Sequence, residues 1–589
     1  MSVLPLIATA IATPNHARRT LGLPDFTHRR GERHSADVLM PDGVTLDTRI
    51  ALPKGDGPWP VILIRNPYPI DRYLDGVCAR YVRYGYACVQ QKVRGQGDSG
   101  GDWSPFTSER TDGLAALDWL IAQPWSDDHI ALIGASYMAG VQWSMADALP
   151  PQVKTIIPSV FGLEMYRNAY EGGMFRHELV TAWMTLIPDR RFRAFAGRDY
   201  QRALDHRPRI EADTIAAGVE VPWFRMWMEA QEQSVGIWQS PEVLQADTIP
   251  EQTTVPVLMM GGWSDIFIDA QLSTWRRLGS QSSSTLVIGP WDHLGSSSAD
   301  VALNNIDDHI GLEDTYNQSR RTLDWLDHHL KGTPATLPVG QTLVYTMGAD
   351  TWQVAPAWPP PTEARILSAV PGAAGDCRAP LVDGAAAALS AHYDYDPTDP
   401  TPSIGGAGSI AGVLSPGFDG VPVGLRDQDG LCERRDDMLG WQTAPLTAPM
   451  HIAGPITATL TVSSSAADTA FNVRIVEVDQ DGRALHVREG IRALSFREGD
   501  EARVAYTPGE TVELVVETWP IDFQFQAGSQ LRVEVASASF PKFEAHTNTD
   551  EYWADAVETT IARQQLHSVS VSLPVVSGAV DSVQPGVTP

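Results

Sequence analysis

Short apolar runs without polar alternation recur along the first two-thirds of the chain and constrain its fold more than any other feature. They lie at 60–64, 86–89, 129–133, 255–260 and 285–288. A strand with apolar side chains in every position must be covered on both faces, so such runs are typical of central strands in a parallel sheet. Stretches with helical spacing separate them. The sequence therefore predicts an α/β fold over this region.

Two changes in composition divide the 589 residues. From about 163 to 246 the strand signal gives way to Met-, Trp- and Arg-rich stretches with helical spacing, which predict an inserted helical cap. After about 345, Pro- and Gly-rich turns separate many short strands, which predicts an all-β sandwich or jelly roll. The predicted segments are the two parts of the α/β domain at 1–162 and 247–345, the helical cap at 163–246, and the β domain at 346–589.

The charge balance argues against several classes of partner. The chain has 44 Lys and Arg residues against 72 Asp and Glu residues, a formal net charge of −28. Such a surface repels nucleic-acid phosphates and anionic lipids, and no apolar run approaches the ~18 residues of a membrane helix. We expect neither a nucleic acid nor a membrane as a partner. The apolar start at 3–12 lacks a basic region, so a cytoplasmic location is predicted, with a weak signal peptide as the alternative.

The cysteines and histidines carry no metal-site pattern. Four cysteines lie far apart without a C-x-x-C pair, so we expect buried free thiols in a reducing compartment rather than a zinc site or a disulfide framework; they are Cys78, Cys88, Cys377 and Cys432. His328 and His329 also lack metal-site company. We expect no metal ion.

A glycine-rich stretch at 95–100 fits G-x-G-x-x-G after a predicted strand. A dinucleotide site needs a helix that opens on the last glycine, whereas Asp102-Trp103-Ser104-Pro105 follows here. The sequence therefore predicts a glycine-rich loop and no cofactor.

A stronger motif surrounds Ser136. The segment Gly134-Ala135-Ser136-Tyr137-Met138-Ala139-Gly140 directly follows the run at 129–133 and precedes a helical pattern. A serine in a tight strand-to-helix turn projects its hydroxyl from the sheet, beside backbone N–H groups that suit an oxyanion. The usual G-x-S-x-G motif has glycine where this chain has Met138. The alternative is a serine that caps the helix.

An acid and a histidine come after two further predicted strands. Asp265 comes after the run at 255–260, and His293 comes after the run at 285–288. The carboxyl ends of parallel strands meet at the edge where open α/β sheets place their sites. Serine needs a histidine to take its proton, and the histidine needs a carboxylate to orient it. The chain order Ser, Asp, His is that of α/β-hydrolases. We predict Ser136 as nucleophile, His293 as general base and then acid, and Asp265 as the orienting carboxylate.

These motifs resemble the serine hydrolase family that groups cocaine esterase, X-prolyl dipeptidyl peptidases and α-amino acid ester hydrolases (CocE/NonD-type). Ala139 stands where the family motif G-x-S-Y-x-G has glycine, and Lys92 stands where the family commonly has an acid. The resemblance implies an α/β-hydrolase domain with a cap and a C-terminal jelly roll of the galactose-binding type. Matching segments occur at 65–68, 93–97, 123–125, 134–140, 262–265, 289–293, 395–397, 463–465, 468–469 and 539–541.

The resemblance also implies roles for individual residues. Tyr68 would supply the hydroxyl of an oxyanion hole, and Tyr137 would supply the second donor, its backbone N–H. The C-terminal domain would cover the active-site edge, and contacts in a homodimer are a further expectation. Four aromatic residues are candidates to line an acyl pocket, with plain core packing as the alternative: Trp143, Trp183, Trp227 and Phe267.

The two residues after Asp265 indicate the class of substrate. Family members that take free α-amino groups carry carboxylates beside this acid, whereas this chain has Ile266 and Phe267 there. We expect an ester or amide with a small, largely apolar acyl group. An X-Pro dipeptidyl peptidase or α-amino acid ester hydrolase is the alternative, because cap acids could reach the pocket: Glu164, Glu171 and Glu178. A catalytically inactive protein whose jelly roll binds a ligand such as a sugar is the alternative from another class.

Overall fold

The computed structural model describes residues 23–187, 197–293, 311–372, 377–384, 387–408, 423–578 and 582–583. The apolar start at 3–12, on which the signal-peptide alternative rests, lies outside the described residues. Among the described helices, none combines the length and the apolar composition that crossing a lipid bilayer requires.

The secondary structure follows the predicted order of regions. The strands up to residue 355 are β1 (Arg30–Leu39), β2 (Thr45–Pro53), β3 (Trp59–Asn66), β4 (Ala87–Lys92), β5 (Ser126–Ala135), β6 (Val153–Ser159), β7 (Tyr170–Glu171), β8 (Met174–Phe175), β9 (Leu258–Ser264), β10 (Thr285–Asp292), β11 (Thr342–Thr346) and β12 (Thr351–Ala355). The later strands are β13 (Thr362–Ala369), β14 (Ala379–Asp383), β15 (Ala391–Tyr395), β16 (Leu439–Gln442), β17 (Met450–Gly454), β18 (Thr457–Ser464), β19 (Ala470–Val478), β20 (Ala484–Ala493), β21 (Val512–Glu517), β22 (Ile521–Phe525), β23 (Gln530–Ala536), β24 (Ala562–Val576) and β25 (Ser582–Val583). The α-helices are α1 (Asp71–Arg83), α2 (Glu109–Ile121), α3 (Tyr137–Trp143), α4 (His177–Leu186), α5 (Gly197–Asp205), α6 (Ala212–Ala217), α7 (Pro222–Met228), α8 (Pro241–Ala246), α9 (Ile249–Gln252), α10 (Ile268–Arg276), α11 (Gly311–Lys331) and α12 (Leu431–Arg434).

The first sheet has eleven described strands in the order β1-β2-β4-β3-β5-β6-β9-β10-β11-β12-β25. The seven from β4 to β11 in this order run parallel, whereas the strands at both edges pair antiparallel. The five unalternating runs form or lead into β3, β4, β5, β9 and β10, and β9 is buried along its whole length. The predicted α/β-hydrolase fold is confirmed.

The parallel arrangement brings four strand ends to one edge of this sheet. Strands β3, β5, β9 and β10 all have the same direction, so their carboxyl ends face the same side. The candidate residues come after these ends within a few positions: Tyr68, Ser136, Asp265 and His293.

Helical structure separates β6 from β9. The short hairpin β7–β8 and helices α4 to α9 lie between them, in the part of the chain where the sequence predicts a cap. Helix α7 begins with Pro222, whose fixed φ suits the first helical position. The side chains of Trp223, Phe224 and Trp227 on this helix are buried. The segment limits at 162, 246 and 345 stay predictions.

The C-terminal region is an all-β domain. Nine strands of its twelve-stranded sheet follow the order β20-β19-β23-β16-β14-β13-β24-β17-β22, and β15, β18 and β21 join through β24 and β18. Strand β24 pairs with β13, β15, β17 and β18, because its 15 residues are long enough to reach two neighbours on each side. The jelly-roll prediction is confirmed.

The two domains share a continuous core and a buried polar boundary. Strand β25 pairs with β12 at the edge of the first sheet. Asp522 on β22 accepts a hydrogen bond from the Thr346 hydroxyl at 2.7 Å and another from the indole N–H of Trp358 at 3.0 Å. Its exposed fraction is 1%. The hydrogen bond from Thr346 therefore links β11 of the first sheet to β22 of the second sheet.

The expectation of free thiols is wrong. Cys78 of α1 is disulfide-bonded to Cys88 of β4, and Cys377 is bonded to Cys432 in the C-terminal domain. The partners are 10 and 55 residues apart, and no local pattern in one sequence reveals which distant cysteines the fold brings together. Disulfides persist in oxidising compartments. Free thiols therefore no longer support the predicted cytoplasmic location.

Candidate active site

Ser136 occupies the turn between β5 and α3. Its φ of 58° lies in the left-handed region, which residues with a side chain rarely adopt. Its backbone N–H donates to the carbonyl of Ser159 at 3.0 Å, which ties the turn to β6. Among the described residues of α3, no backbone N–H donates a capping hydrogen bond to the Ser136 side chain, so the alternative of a serine whose side chain caps the helix is wrong. This geometry is that of a nucleophile elbow.

Two glycines leave room for the tight turn. A Cβ on Gly134 would lie 2.5 Å from the Cβ of Met138, and a Cβ on Gly140 would lie 2.7 Å from the ring of Phe106. Both distances are shorter than real contacts, so both positions require glycine. Met138 is accommodated because Gly134 leaves the space beside it.

Asp265 and His293 lie at the ends of the neighbouring strands β9 and β10. The carboxylate oxygen Oδ2 of Asp265 is 2.6 Å from Nδ1 of His293. Its Oδ1 accepts a hydrogen bond from the backbone N–H of Phe267 at 2.7 Å. Asp265 has no exposed surface, and a buried carboxylate costs several kcal/mol unless it is hydrogen-bonded. Because Nδ1 faces Asp265, Nε2 of the imidazole is left for another partner.

A row of aromatic rings connects the Ser136 turn with His293. The ring of Phe106 stacks on Tyr137 at a centroid distance of 4.4 Å, and Phe161 is 5.6 Å from Phe106. Phe161 is also 5.2 Å from Phe267, whose ring is 5.5 Å from the imidazole of His293. Apolar rings therefore lie between the Ser136 turn and the imidazole of His293.

The backbone of Tyr68 is held by three hydrogen bonds after β3. Its N–H donates to Oδ1 of Asn66 at 2.8 Å, and its carbonyl accepts from Nδ2 of Asn66 at 2.9 Å. The same carbonyl accepts from the Lys92 ammonium at 2.5 Å, and Lys92 also pairs with Asp71 at 2.8 Å. This role of Lys92 was not predicted from the sequence. A cation at the end of the buried strand β4 was the available signal, because a buried charge requires partners.

The Tyr68 hydroxyl interacts with the Ser136 side chain, the Trp183 side chain and the backbone N–H of Tyr137. Burial raises the pKa of the Tyr68 phenol, and these hydrogen bonds partly oppose the rise. The phenol therefore stays protonated at neutral pH and can donate to a negative charge that develops beside Ser136.

The side chain of Tyr137 fixes the residue that follows Ser136. Its hydroxyl donates to Oε1 of Glu109 at 2.8 Å and accepts from the backbone N–H of Phe106 at 3.1 Å. Burial raises the pKa of Tyr137 well above its usual value. Glu109 is paired in turn with Arg65 at 2.9 Å. The backbone N–H of Tyr137 is thus carried by a residue whose side chain is anchored at its far end.

Of the four predicted pocket residues, three make ring contacts near the candidate site and one lies in the core. The three are Trp183, Trp227 and Phe267, and the fourth is Trp143. Trp183 is partly exposed, and its ring lies 5.9 Å from those of Trp103 and Trp227 and 4.7 Å from that of Trp223. Phe267 contributes to the row of rings beside His293. Trp143 is fully buried in the core, and among the described residues it makes none of the ring contacts that join the cluster around Trp183.

Three acids of the cap region could bind the ammonium group of an α-amino substrate, and each is hydrogen-bonded to the protein or buried. They are Glu164, Glu171 and Glu178. Glu164 accepts a hydrogen bond from the Ser273 hydroxyl at 2.6 Å. Glu171 accepts one at Oε2 from the indole N–H of Trp519 at 2.6 Å, and burial raises the pKa of Glu171 to about 7. Glu178 is buried, with 1% of its surface exposed.

The glycine-rich segment forms a loop. The N–H of Gly95 donates to the carbonyl of Gly100 at 2.8 Å, and the next helix, α2, begins at Glu109. The prediction of a loop is confirmed. Within the described ranges, no group of three or more His, Cys, Asp or Glu side chains is arranged to hold a metal ion.

Comparison with known proteins covers both domains. Residues 42–295 match the family described as X-Pro dipeptidyl-peptidase (S15 family), and residues 339–571 match the X-Pro dipeptidyl-peptidase C-terminal non-catalytic domain. Over 581 residues the chain is 29% identical to cocaine esterase from Rhodococcus sp. (strain MB1 Bresler), an alignment that covers 92% of this chain and 95% of that protein.

Solved structures share the fold. An α-amino acid ester hydrolase superposes with a TM-score of 0.78 at 22% identity, covering 96% of this chain and 99% of that one. An aminopeptidase from a marine sediment Thaumarchaeota archaeon gives 0.77 at 23% identity, covering 94% and 98%. The family matches make the protein a hydrolase, so the alternative of a catalytically inactive ligand-binding protein is wrong. Since the two matched regions span more than half of the sequence, the chain belongs to the serine hydrolase family that groups cocaine esterase, α-amino acid ester hydrolases and X-Pro dipeptidyl-peptidases.

Proposed function

We propose that the protein hydrolyses carboxylic esters with a small, largely apolar acyl group through an acyl-enzyme intermediate. The observation that carries the proposal is the 2.6 Å contact between Asp265 and His293 at the sheet edge that also holds the Ser136 turn. The three residues have the types and the chain order of an α/β-hydrolase triad.

In the proposed reaction, Nε2 of His293 removes the proton of Ser136 as the serine oxygen attacks the ester carbonyl. Asp265 holds the Nδ1–H and stabilises the imidazolium that forms. The tetrahedral intermediate then collapses, the C–O bond to the alcohol breaks, and the alcohol leaves with the proton from Nε2. Water repeats the sequence on the acyl-enzyme and releases the carboxylic acid and free Ser136.

The negative oxygen of the intermediate would accept two hydrogen bonds, from the Tyr68 hydroxyl and the Tyr137 backbone N–H. Both groups lie beside Ser136, where the negative charge would develop. One donor of this kind contributes about 3 kcal/mol to the stability of the transition state.

An apolar acyl group is supported by the row of rings from Phe106 to Phe267 and by the aromatic cluster around Trp183. One observation favours the second candidate, an α-amino acyl substrate. The oxygen Oε1 of Glu171 is buried and has no hydrogen-bond partner among the described residues. An ammonium group that reached this oxygen would pair with it.

Removal of the Ser136 hydroxyl tests the nucleophile. We expect wild-type protein to be labelled by a fluorophosphonate at Ser136, and Ser136→Ala to lose labelling and at least about 10³-fold in kcat/KM for p-nitrophenyl esters, because no other group can form the acyl-enzyme. Ser144→Ala, directly after the end of α3, is the matched control and should label normally. Hydrolysis by Ser136→Ala at the wild-type rate would refute the proposal.

Tyr68→Phe tests the oxyanion hole. We expect kcat to fall about 10²-fold and KM to stay within about threefold, since the hydroxyl binds the charged intermediate more strongly than the substrate. Steady-state kinetics on a p-nitrophenyl ester measure both constants, and Tyr73→Phe on α1 serves as the control. An unchanged kcat in Tyr68→Phe would exclude this hydroxyl from the mechanism.

A substrate panel decides between the two candidate acyl groups. We expect higher kcat/KM for p-nitrophenyl esters with neutral acyl groups than for matched α-amino esters or X-Pro p-nitroanilides, because a buried ammonium is costly without a carboxylate. A tenfold preference for the free amine, about 1.4 kcal/mol, would contradict this expectation. Loss of that preference in Glu171→Gln would then identify the carboxylate.

A further inference from the structure

Two buried arginines from outside the α/β domain hold the segment that carries Asp265. We call residues 263–268, which run from the last two residues of β9 to the first residue of α10, the acid loop. Arg488, on β20 of the C-terminal domain, donates from Nη2 to the carbonyl of Trp263 at 2.6 Å. Arg176, which directly precedes α4 of the cap region, donates from Nη2 to the carbonyl of Ile266. The two carbonyls lie on either side of Asp265.

The hydrogen bonds of the buried Arg488 side chain go to backbone carbonyls. Its exposed fraction is 3%, and among the described residues no carboxylate forms a salt bridge with it. Its Nε donates to the carbonyl of Pro520 at 3.2 Å. Burial lowers the pKa of Arg488 to about 9, so the side chain still carries its charge at neutral pH. The neighbouring Glu489 is engaged by Lys542 at 2.9 Å. The guanidinium also lies 6.0 Å from the centre of the Trp263 ring. A buried charge without a paired carboxylate is costly, and the planar fork of the guanidinium gives these contacts a fixed geometry.

Arg176 joins three parts of the molecule. Besides the Ile266 carbonyl, it binds the carbonyl of Arg167 at 3.1 Å, and its guanidinium lies 4.7 Å from the centre of the Trp519 ring in the C-terminal domain. Burial lowers the pKa of Arg176 to about 10, and the charge of Glu171 opposes this fall. The cap, the acid loop and the C-terminal domain therefore meet at one side chain.

The rest of the acid loop is held equally closely. The indole N–H of Trp263 donates to the carbonyl of Tyr345 at 2.6 Å, and the N–H of Asp265 donates to the carbonyl of Gly262 at 3.0 Å. A backbone shift of about 1 Å would stretch the contact between Asp265 and His293 beyond hydrogen-bond range. Misplacement of that size costs about 10²-fold in rate at active sites.

We propose that Arg488 and Arg176 form a clamp that positions Asp265 and, through it, the imidazole of His293. The C-terminal domain thereby contributes to catalysis by orientation, without touching the substrate. Both arginines are positioning residues. This inference rests on the proposed triad and explains what orients Asp265 within it.

The matched comparison is Arg488→Met against Arg474→Met. Arg474 on β19 is equally buried and donates from Nη2 to the carbonyl of Pro402 at 2.8 Å, which lies outside the acid loop. We expect Arg488→Met to lower kcat for a neutral p-nitrophenyl ester by about tenfold or more with KM within about threefold. Arg474→Met should keep kcat within about twofold, even if both variants lose thermal stability.

A second readout reports the orientation of the acid directly. The proton between Nδ1 of His293 and Asp265 should give a far-downfield proton NMR signal in the wild-type protein and in Arg474→Met. In Arg488→Met this signal should shift or disappear. Arg488→Lys keeps one N–H donor and should recover part of both kcat and the signal. If Arg488→Met fails to fold, Arg488→Lys and Arg176→Lys carry the test, with kcat lowered by about threefold or more.

The outcomes separate the clamp from the triad. A folded Arg488 variant with unchanged kcat and an intact signal overturns the clamp and leaves the triad standing. Equal losses of kcat in Arg488→Met and Arg474→Met also overturn the clamp, because the effect would then be general destabilisation. A wild-type protein without the downfield signal and without ester hydrolysis overturns the proposed function itself.

Discussion

A carboxylate removed entirely from water, Asp265, determines how the rest of the site must be arranged. One oxygen accepts the N–H of Phe267 and the other lies 2.6 Å from His293, and without such partners its burial would cost several kcal/mol. This pairing requires β9 and β10 to be adjacent and parallel and to end at the same level of the sheet. Their register meets this requirement, because Asp292 lies opposite Ser264. Strands β5 and β3 run the same way and carry Ser136 and Tyr68 to the same edge.

Much of this arrangement follows from local sequence patterns. Unalternating apolar runs indicate buried strands, and the position of a polar residue just after such a run places it at the sheet edge. The contact between Asp265 and His293 was predictable for this reason, and so was the Ser136 turn. The disulfides and the contacts of Lys92 and Arg488 were not. Arg488 and Trp263 are 225 residues apart, and nothing in either local pattern points to the other.

The helical spacing of apolar residues also does not show which tryptophans lie near the candidate site. Trp143 and Trp183 have similar sequence surroundings, yet Trp143 is fully buried in the core whereas Trp183 is partly exposed beside the Tyr68 hydroxyl. Helical spacing cannot distinguish these cases, because it shows only that a side chain lies on an apolar face of its helix. The cap thus contributes Trp183 to the site, and the C-terminal domain contributes Arg488 behind it.

The proposed reaction passes through a covalent acyl-enzyme on Ser136, which mass spectrometry can detect. A p-nitrophenyl ester reaction is quenched with acid during the first turnover, and the intact protein and its peptides are weighed. We expect a mass increase equal to the acyl group minus one hydrogen, on the peptide that contains Ser136. Release of p-nitrophenol without any adduct, or an adduct confined to another residue, would contradict it.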